Sequence, residues 1–268
     1  MKIVRRTAVG TLLAIFAVVL CAGFLAPAPY ARQFREVPNA GPSLQHPLGT
    51  DELGRDALSR LLYGTRVSLL LAPAAALLAT MIAALVGGLA GCLGGWWERA
   101  AMGATDLSLS LPWLFLLLTV RALLPLNVSP MTSVVITFAL LGSLGWSVSA
   151  RVVCAGARAL RNSDFVLQAR ACGCSRFRLL VRQILPNLKP VLLAQFWVAI
   201  PVFILTEANL GILGLGVAEP LPSWGNLLRG LENWMAVEAN PWRLAPVVLL
   251  LVVVSCFQLV LPREDFRP

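Results

Sequence analysis

Long runs of apolar residues, each nearly free of charge, alternate along this chain with polar segments. A run of about 20 such residues is long enough to span a bilayer as a helix. Six runs occur, and in the third the uncharged stretch, between Asp106 and Arg121, is shorter. Their approximate bounds are 7–27, 67–95, 106–124, 130–150, 189–207 and 244–262. The pattern predicts an all-α membrane protein with about six transmembrane helices.

The overall composition agrees with this prediction. Hydrophobic residues make up 58% of the 268 residues and charged residues 13%, whereas a soluble domain is about 25% charged. So few charges exclude a soluble enzyme and a disordered protein. The net charge of +9 would suggest nucleic acid for a soluble protein. In a membrane protein it is typical of cytoplasmic loops, so we expect lipid and no nucleic acid as a partner.

The distribution of positive charge predicts the orientation. Six spans leave both termini on one side of the membrane. A cytoplasmic location for the termini places 14 Lys and Arg residues on the inner segments and 8 on the outer ones, as the positive-inside rule requires. The first run follows a basic start and is long for a cleaved signal peptide, so we expect an uncleaved anchor; a signal peptide is the alternative.

The second run carries small residues at four-residue spacing. Ala83, Gly87, Gly91 and Gly95 share one helical face, which lets a neighbouring helix approach closely. This stripe predicts a packing face.

The membrane runs lack groups for chemistry. Their deep positions contain no ionisable residue, and Arg121 and Glu207 lie near run ends, from where we expect them to reach the interface. The chain has no phosphate-binding G-x-x-x-x-G-K-[ST] loop and no hydrolase motif. His46 is the sole histidine and the six cysteines lack zinc spacing. We therefore expect no enzyme activity, no metal site and no cofactor bound directly.

The segment between the fourth and fifth runs predicts two short helices. Residues 164–172 form the first, with Asp164 favourable at its N-terminus. Gly173 ends it by adopting a left-handed backbone. The second helix covers residues 176–185 and stops at Pro186.

This helix pair presents an apolar face. Phe165, Val166 and Ala169 are expected to be exposed and to suit a groove on another protein. A basic loop on the membrane surface is the alternative.

The residues before the second run alternate in charge. Asp51, Arg55, Asp56 and Arg60 are spaced for i, i+4 pairs on an interfacial amphipathic helix. A docking surface for another protein is the alternative. Three tryptophans further along are expected at the membrane interface, and the alternative is that one of them lines a substrate entrance. They are Trp224, Trp234 and Trp242.

Three blocks of the chain resemble one family. Leu167-Gln168-Ala169, then Gly173, then Leu185-Pro186 is similar to the coupling motif of ABC importer permeases, which begins Glu-Ala-Ala. Residues 46–69 and 207–225 resemble the segments before span two and after span five of dipeptide/oligopeptide/nickel permeases.

The resemblance implies a type I ABC importer permease fold in the bacterial inner membrane, with a coupling helix between spans four and five. It implies an N-terminal anchor and external segment over 1–66, the permease region over 67–262 and a cytoplasmic tail over 263–268. The implied ATPase-coupling residues are Phe165, Leu167, Gln168, Ala169, Gly173, Leu185, Pro186 and Asn187. The implied external motif residues are Gly49, Asp51, Gly54, Arg55, Asp56, Glu207, Gly214, Gly216 and Trp224.

The resemblance also implies partners. These are a second homologous permease subunit, two ATPase subunits that use ATP, and an extracytoplasmic substrate-binding protein. We expect Phe165, Ala169 and Gly173 to form the contact and turn, and Leu185 and Pro186 to hold this segment against the bundle. Peptide is the first expected cargo, with nickel or a metal complex as the alternative. Leu167 and Gln168 depart from the Glu-Ala of the family, which keeps a non-transporting scaffold open.

Overall fold

The computed structural model describes residues 2–125 and 128–260, and most of them are helical. No β-strand occurs in these two ranges. Two isolated antiparallel bridges pair Gln33 with Arg55 and Thr50 with Asp56.

Fourteen α-helices lie in the described ranges. The first seven are α1 (Lys2–Leu20), α2 (Ala22–Leu25), α3 (Ala57–Ala83), α4 (Leu89–Leu93), α5 (Gly95–Ser110), α6 (Trp113–Leu123) and α7 (Pro130–Leu144). The others are α8 (Ser147–Arg161), α9 (Asp164–Ala171), α10 (Arg176–Leu179), α11 (Leu185–Ile212), α12 (Trp224–Arg229), α13 (Trp234–Ala239) and α14 (Ala245–Val260). Two π-helical turns, Ala84–Gly88 and Leu180–Ile184, and a 3₁₀ turn, Pro241–Leu244, connect some of them.

Five helical stretches within the described residues are long and apolar enough to cross a membrane, and a bent pair makes a sixth. The prediction of an all-α membrane protein with about six spans is confirmed. The five stretches are Ile3–Leu20, Ala57–Leu93, Pro130–Arg161, Arg182–Ile212 and Pro241–Val260.

The third predicted run, 106–124, is not one straight helix. It falls on α5 and α6, whose axes differ by 85°. Leu111, between them, has an extended backbone with ψ of 133°. Its successor is Pro112, and a proline disfavours the helical conformation of the preceding residue. The proline therefore makes the bend.

Of the charged residues before the second run, Asp51, Arg55 and Asp56 precede α3 and only Arg60 lies on it. The chain from Asp51 to Asp56 forms turns, and α3 begins only at Ala57. The predicted amphipathic helix is wrong for residues 51–56, because the Asp51 side chain accepts from the Leu53 and Arg55 N–H groups and makes a turn there. The domain boundary predicted after residue 66 lies inside α3.

The Cα packing divides the chain into two compact units. The first comprises the residues up to Pro73, Val120–Phe138 and those from Ile200 onward. In it α1 and α12 pack against α14.

The second unit comprises Ala74–Thr119 and Ala139–Ala199. Its centre is α8, which packs against the Ala84–Gly88 turn, α4 and α5. Arg158 and Arg151 of α8 form ion pairs with Glu98 and Asp106 of α5.

The small-residue stripe is the packing face of this second unit. Ala83 is buried with Ala150, Val153, Ala157 and Leu188. A Cβ on Gly87 would lie 2.1 Å from the Ala150 carbonyl oxygen, and one on Gly91 would lie 2.5 Å from that of Cys154. The predicted packing is confirmed for these three positions. Gly95 is different, because a Cβ there would meet nothing within 4 Å.

Candidate functional site

The first candidate site is the segment 164–187, which we call the coupling segment; it lies within the second unit. Helix α9 ends at Ala171, and Gly173 terminates it as predicted with a left-handed backbone whose φ is +80°. Cys174 N donates to Ala169 O at 3.1 Å and Gly173 N to Arg170 O at 3.0 Å. This pair of bonds is a Schellman motif. A Cβ on Gly173 would meet nothing within 4 Å, so the backbone angle and not space requires glycine.

The coupling segment has its own small core. Val166, Leu179 and Ile184 are buried together, and Ala169 and Cys174 pack against them. The prediction that Val166 is exposed is wrong, because this residue points into the core. Ala169 is half-buried against the same core. Phe165 and Leu167 flank Val166 along the chain and remain 40% and 48% exposed.

The predicted second helix does not stop at Pro186. It is the short α10, followed by the Leu180–Ile184 π turn and then by α11, in which Pro186 is the second residue. Proline is tolerated in the first turn of a helix. The Asn187 side chain donates to Gln183 O at 2.7 Å across this junction.

Leu185 and Pro186 do not hold the segment against the helices. Both are exposed, whereas Ile184 and Leu188 are buried. That prediction is wrong, because the π turn changes which residues face inward before α11 starts. Of the other predicted coupling residues, Gln168, Gly173 and Asn187 are exposed.

The second candidate site is a group of charges in the first unit, which we call the charged cluster. Its members are His46, Asp51, Arg55, Asp56, Arg60 and Glu219. Asp51 Oδ2 lies 2.7 Å from Arg55 Nε and 3.6 Å from Arg60 Nε. Glu219 accepts from Arg55 Nη1 at 2.7 Å and from Arg60 Nη2 at 2.9 Å. Asp51 and Glu219 thus neutralise Arg55 and Arg60. The two Glu219 contacts hold the start of α3 and the residue pair before it to the α11–α12 connection.

Asp56 fixes the start of α3. Its Oδ1 accepts from Ser59 N at 2.7 Å, which is the hydrogen bond of a helix N-cap. Its Oδ2 lies 2.8 Å from His46 Nδ1. The carboxylate of Asp56 is fully buried and His46 nearly so. His46 therefore supports the start of α3.

Two predicted glycines make the turns of the charged cluster. Gly49 and Gly54 have φ of +68° and +72°. A Cβ on Gly49 would lie 2.3 Å from Ala40 O, and one on Gly54 the same distance from Phe34 O. Both backbone angle and space require glycine at these positions.

Glu207, predicted near a span end, is fully buried and does not reach the interface. Its Oε2 accepts from Ser68 Oγ at 3.1 Å, and Ser223 and Gly225 lie beside the same carboxylate. Trp224 is also fully buried, so its predicted place at the membrane interface is wrong. Ser223 and Gly225 on either side are buried as well, and the Trp224 backbone N–H donates to Ser68 Oγ at 3.4 Å, so the start of α12 lies inside the first unit.

Gly214 ends α11 in the way that Gly173 ends α9. Its φ is +77°, and Leu215 N donates to Leu210 O at 2.9 Å. Gly216 then lies against α11, because a Cβ there would be 2.6 Å from Gly211 Cα. Gly214 and Gly216, both predicted from the external motif, thus let the chain turn at the end of α11 and pass close to that helix.

Arg121 is 2% exposed, so the expectation that it reaches the interface is wrong. Its Nη2 donates to Ser133 Oγ at 3.1 Å. Ser133 Oγ accepts from Ala218 N at 3.1 Å. This arginine therefore supports the segment after α11.

Some residues of these sites were not predicted from sequence. Glu219 is the main one, and it lies 164 positions from Arg55. Local charge gave no signal, because Arg55, Arg60 and Arg66 are matched in number by the nearby Asp51, Glu52 and Asp56. Ser68 and Ser133 were missed because a buried serine has no distinctive pattern.

Within the described residues, these arrangements bind and position segments of the chain. No group of three or more His, Cys, Asp and Glu side chains that suits a metal ion occurs among them. The coupling segment offers an exposed apolar surface, and the charged cluster borders a cavity of 810 Å³.

Comparison with known proteins gives consistent matches. The family model for the binding-protein-dependent transport system inner membrane component matches residues 80–262. The dipeptide transport system permease protein DppC of Bacillus subtilis is 33% identical over 234 residues, which cover 87% of this chain and 71% of the relative. The oligopeptide transport system permease protein OppC of Haemophilus influenzae is 31% identical over 225 residues, 83% of this chain and 70% of the relative.

A third relative matches a shorter part of its own length. A protein of Brucella suis biovar 1, provisionally named a peptide permease, is 36% identical over 205 residues. The match covers 76% of this chain and 66% of the relative.

Proposed function

Because this chain belongs to the family of binding-protein-dependent transport system inner membrane components, we propose that it is one transmembrane subunit of an ATP-driven peptide importer. It is a multi-pass inner-membrane protein. The proposed complex contains a second homologous permease, two cytoplasmic ATPase subunits and an extracytoplasmic substrate-binding protein. ATP is used by the ATPase subunits, and both termini of this chain lie in the cytoplasm.

Peptide is the proposed cargo because the relatives are named for it. The names of DppC and OppC specify dipeptide and oligopeptide transport. Uptake of a radiolabelled tripeptide by cells with the intact transporter should fall to background when the gene for this chain is deleted. Uptake of radioactive nickel(II) instead of peptide would contradict the cargo.

The observation that carries the proposal is the surface of α9. Val166 anchors α9 to the second unit through the core that it forms with Leu179 and Ile184. Phe165 and Leu167, on either side of Val166 in the chain, remain exposed. Exposed apolar side chains on both sides of a short helix suit insertion of that helix into a groove of a partner. On import, ATP binding would close the ATPases and move this helix together with its unit.

The test is to place a charge on that surface without disturbing the core. Phe165→Asp and Leu167→Asp should abolish co-purification of the ATPases and lower peptide uptake at least tenfold, because a buried carboxylate without a partner opposes docking. Leu44→Asp, at an exposed leucine of the first unit, is the matched control.

Two other results would contradict the proposal. Unchanged co-purification in both variants would remove α9 as the docking helix. Recovery of the wild-type chain without any ATPase, under conditions that keep a control transporter intact, would favour the non-transporting scaffold.

A further inference from the structure

The cavity beside the charged cluster has the size of a small-molecule site. Its volume is about 810 Å³, within the range of about 300–1,000 Å³ found for ligand pockets. It is lined by residues before and at the start of α3, from α12 and the turn that follows it, and from the start of α14. All of them belong to the first unit.

The lining contains both signs of charge. Arg55 and Arg60 are neutralised by Asp51 and Glu219, as described above. Four further charged residues line the cavity. Arg243 Nη1 lies 3.9 Å from Glu52 Oε1, whereas Arg229 and Glu232 are exposed and form no ion pair with any other described residue. The cavity thus offers one guanidinium and one carboxylate that its own walls leave unpaired.

Arg229 lies beside the turn that ends α11. It is the last residue of α12, and its Nη1 lies 3.3 Å from the position that a Cβ on Gly214 would occupy. Its guanidinium therefore rests against the turn that ends α11. A guanidinium can bind a carboxylate through two parallel hydrogen bonds.

We propose that this cavity binds a short peptide with free termini, the carboxylate at Arg229 and the ammonium group at Glu232. Trp242 and Leu231 provide apolar lining for the peptide side chains. A zwitterion suits a lining that leaves one charge of each sign unpaired. The inference rests on the proposed peptide transport and adds a binding position on this subunit. In the proposed orientation the cavity is on the outer side, where cargo is delivered.

Photo-crosslinking in the assembled transporter tests the proposal. A benzophenone amino acid replaces Leu231 in the lining, and radiolabelled trialanine is added to the purified complex without binding protein. We expect a labelled chain that excess trialanine competes away, and at least tenfold weaker competition by trialanine amide or N-acetyl trialanine, because each lacks one terminal charge.

Single variants separate the two charges. Arg229→Gln should remove the preference for the free carboxylate over the amide, and Glu232→Gln should remove the preference for the free amino group over the N-acetyl form. Arg35→Gln, an exposed arginine of the same unit outside the cavity, should retain both preferences.

Tripeptide uptake by the wild-type transporter distinguishes failure of the cavity site from failure of the proposed transport function. Uptake without any crosslink, or with a crosslink that Arg229→Gln and Glu232→Gln leave unchanged, would overturn the cavity site and leave the transport function standing. In a second sample that also contains the binding protein, a crosslink to that protein instead of to peptide would make the cavity a docking surface and also overturn the site. Absence of peptide uptake would overturn the proposed function, and the peptide occupant with it.

Discussion

At the scale of single residues, Gly173 and Gly103 provide a matched comparison. A Cβ at either glycine would meet nothing within 4 Å, but only Gly173 has a positive φ. Gly173→Ala should therefore destabilise the end of α9 by about 1–2 kcal/mol, whereas Gly103→Ala should not, because alanine favours a helix interior.

The rate of tryptic cleavage in the coupling segment measures this difference. Arg170 is exposed close to the turn, and cleavage there should become faster in Gly173→Ala alone. Equal cleavage rates in the two variants would show that the left-handed turn does not limit opening of this segment.

Asp56 combines two roles that substitutions can separate. Asparagine keeps a side-chain acceptor for the N-cap bond to Ser59 N but loses the charge beside His46. Alanine loses both, and the cap alone contributes about 1–2 kcal/mol. The thermal unfolding midpoint in detergent should fall in the order wild type, Asp56→Asn, Asp56→Ala. Equal midpoints for the two variants would mean that the cap contributes nothing.

At the scale of helices, the close approach of α8 to the Ala84–Gly88 turn depends on one of two adjacent glycines. A Cβ on Gly87 would lie 2.1 Å from a backbone oxygen, whereas one on Gly88 would lie 3.8 Å from a leucine methyl group. Gly87→Ala should destabilise the second unit by about 1–3 kcal/mol through overpacking. Gly88→Ala is the control, and similar unfolding midpoints in detergent for both variants would contradict this account.

At the scale of the whole molecule, the proposed orientation predicts which exposed positions are reachable from outside the cell. In a background without other cysteines, a membrane-impermeant maleimide should label Leu44→Cys on intact cells. It should label Cys172, which is exposed in the coupling segment, only after permeabilisation. The reverse pattern would invert the topology.

How far the sequence predicted this molecule depends on the range of the interactions involved. The apolar runs, the small-residue stripe and the turn at Gly173 were predictable, because each arises from residues close together in the chain. The pairing of Glu219 with Arg55 was not, since it joins residues 164 positions apart.

Burial was the other part that the sequence did not reveal. Leu185 and Ile184 are adjacent and both apolar, and only the π turn before α11 decides which one is buried. Trp224 likewise suits an interface by residue type, yet Ser68 bonds its backbone in the interior of the first unit.

Cys92 is packed against two cores at once. It contacts the core that joins Ala83 to α8, and it also contacts the core beneath α9. Leu160 is shared in the same way. A force applied to α9 would therefore be transmitted directly to α4 and α8, and the three helices would move together as one rigid group. The side chain at position 92 lies where the two cores meet. Its size therefore determines how much of a displacement of α9 is lost in local deformation before it reaches α4 and α8.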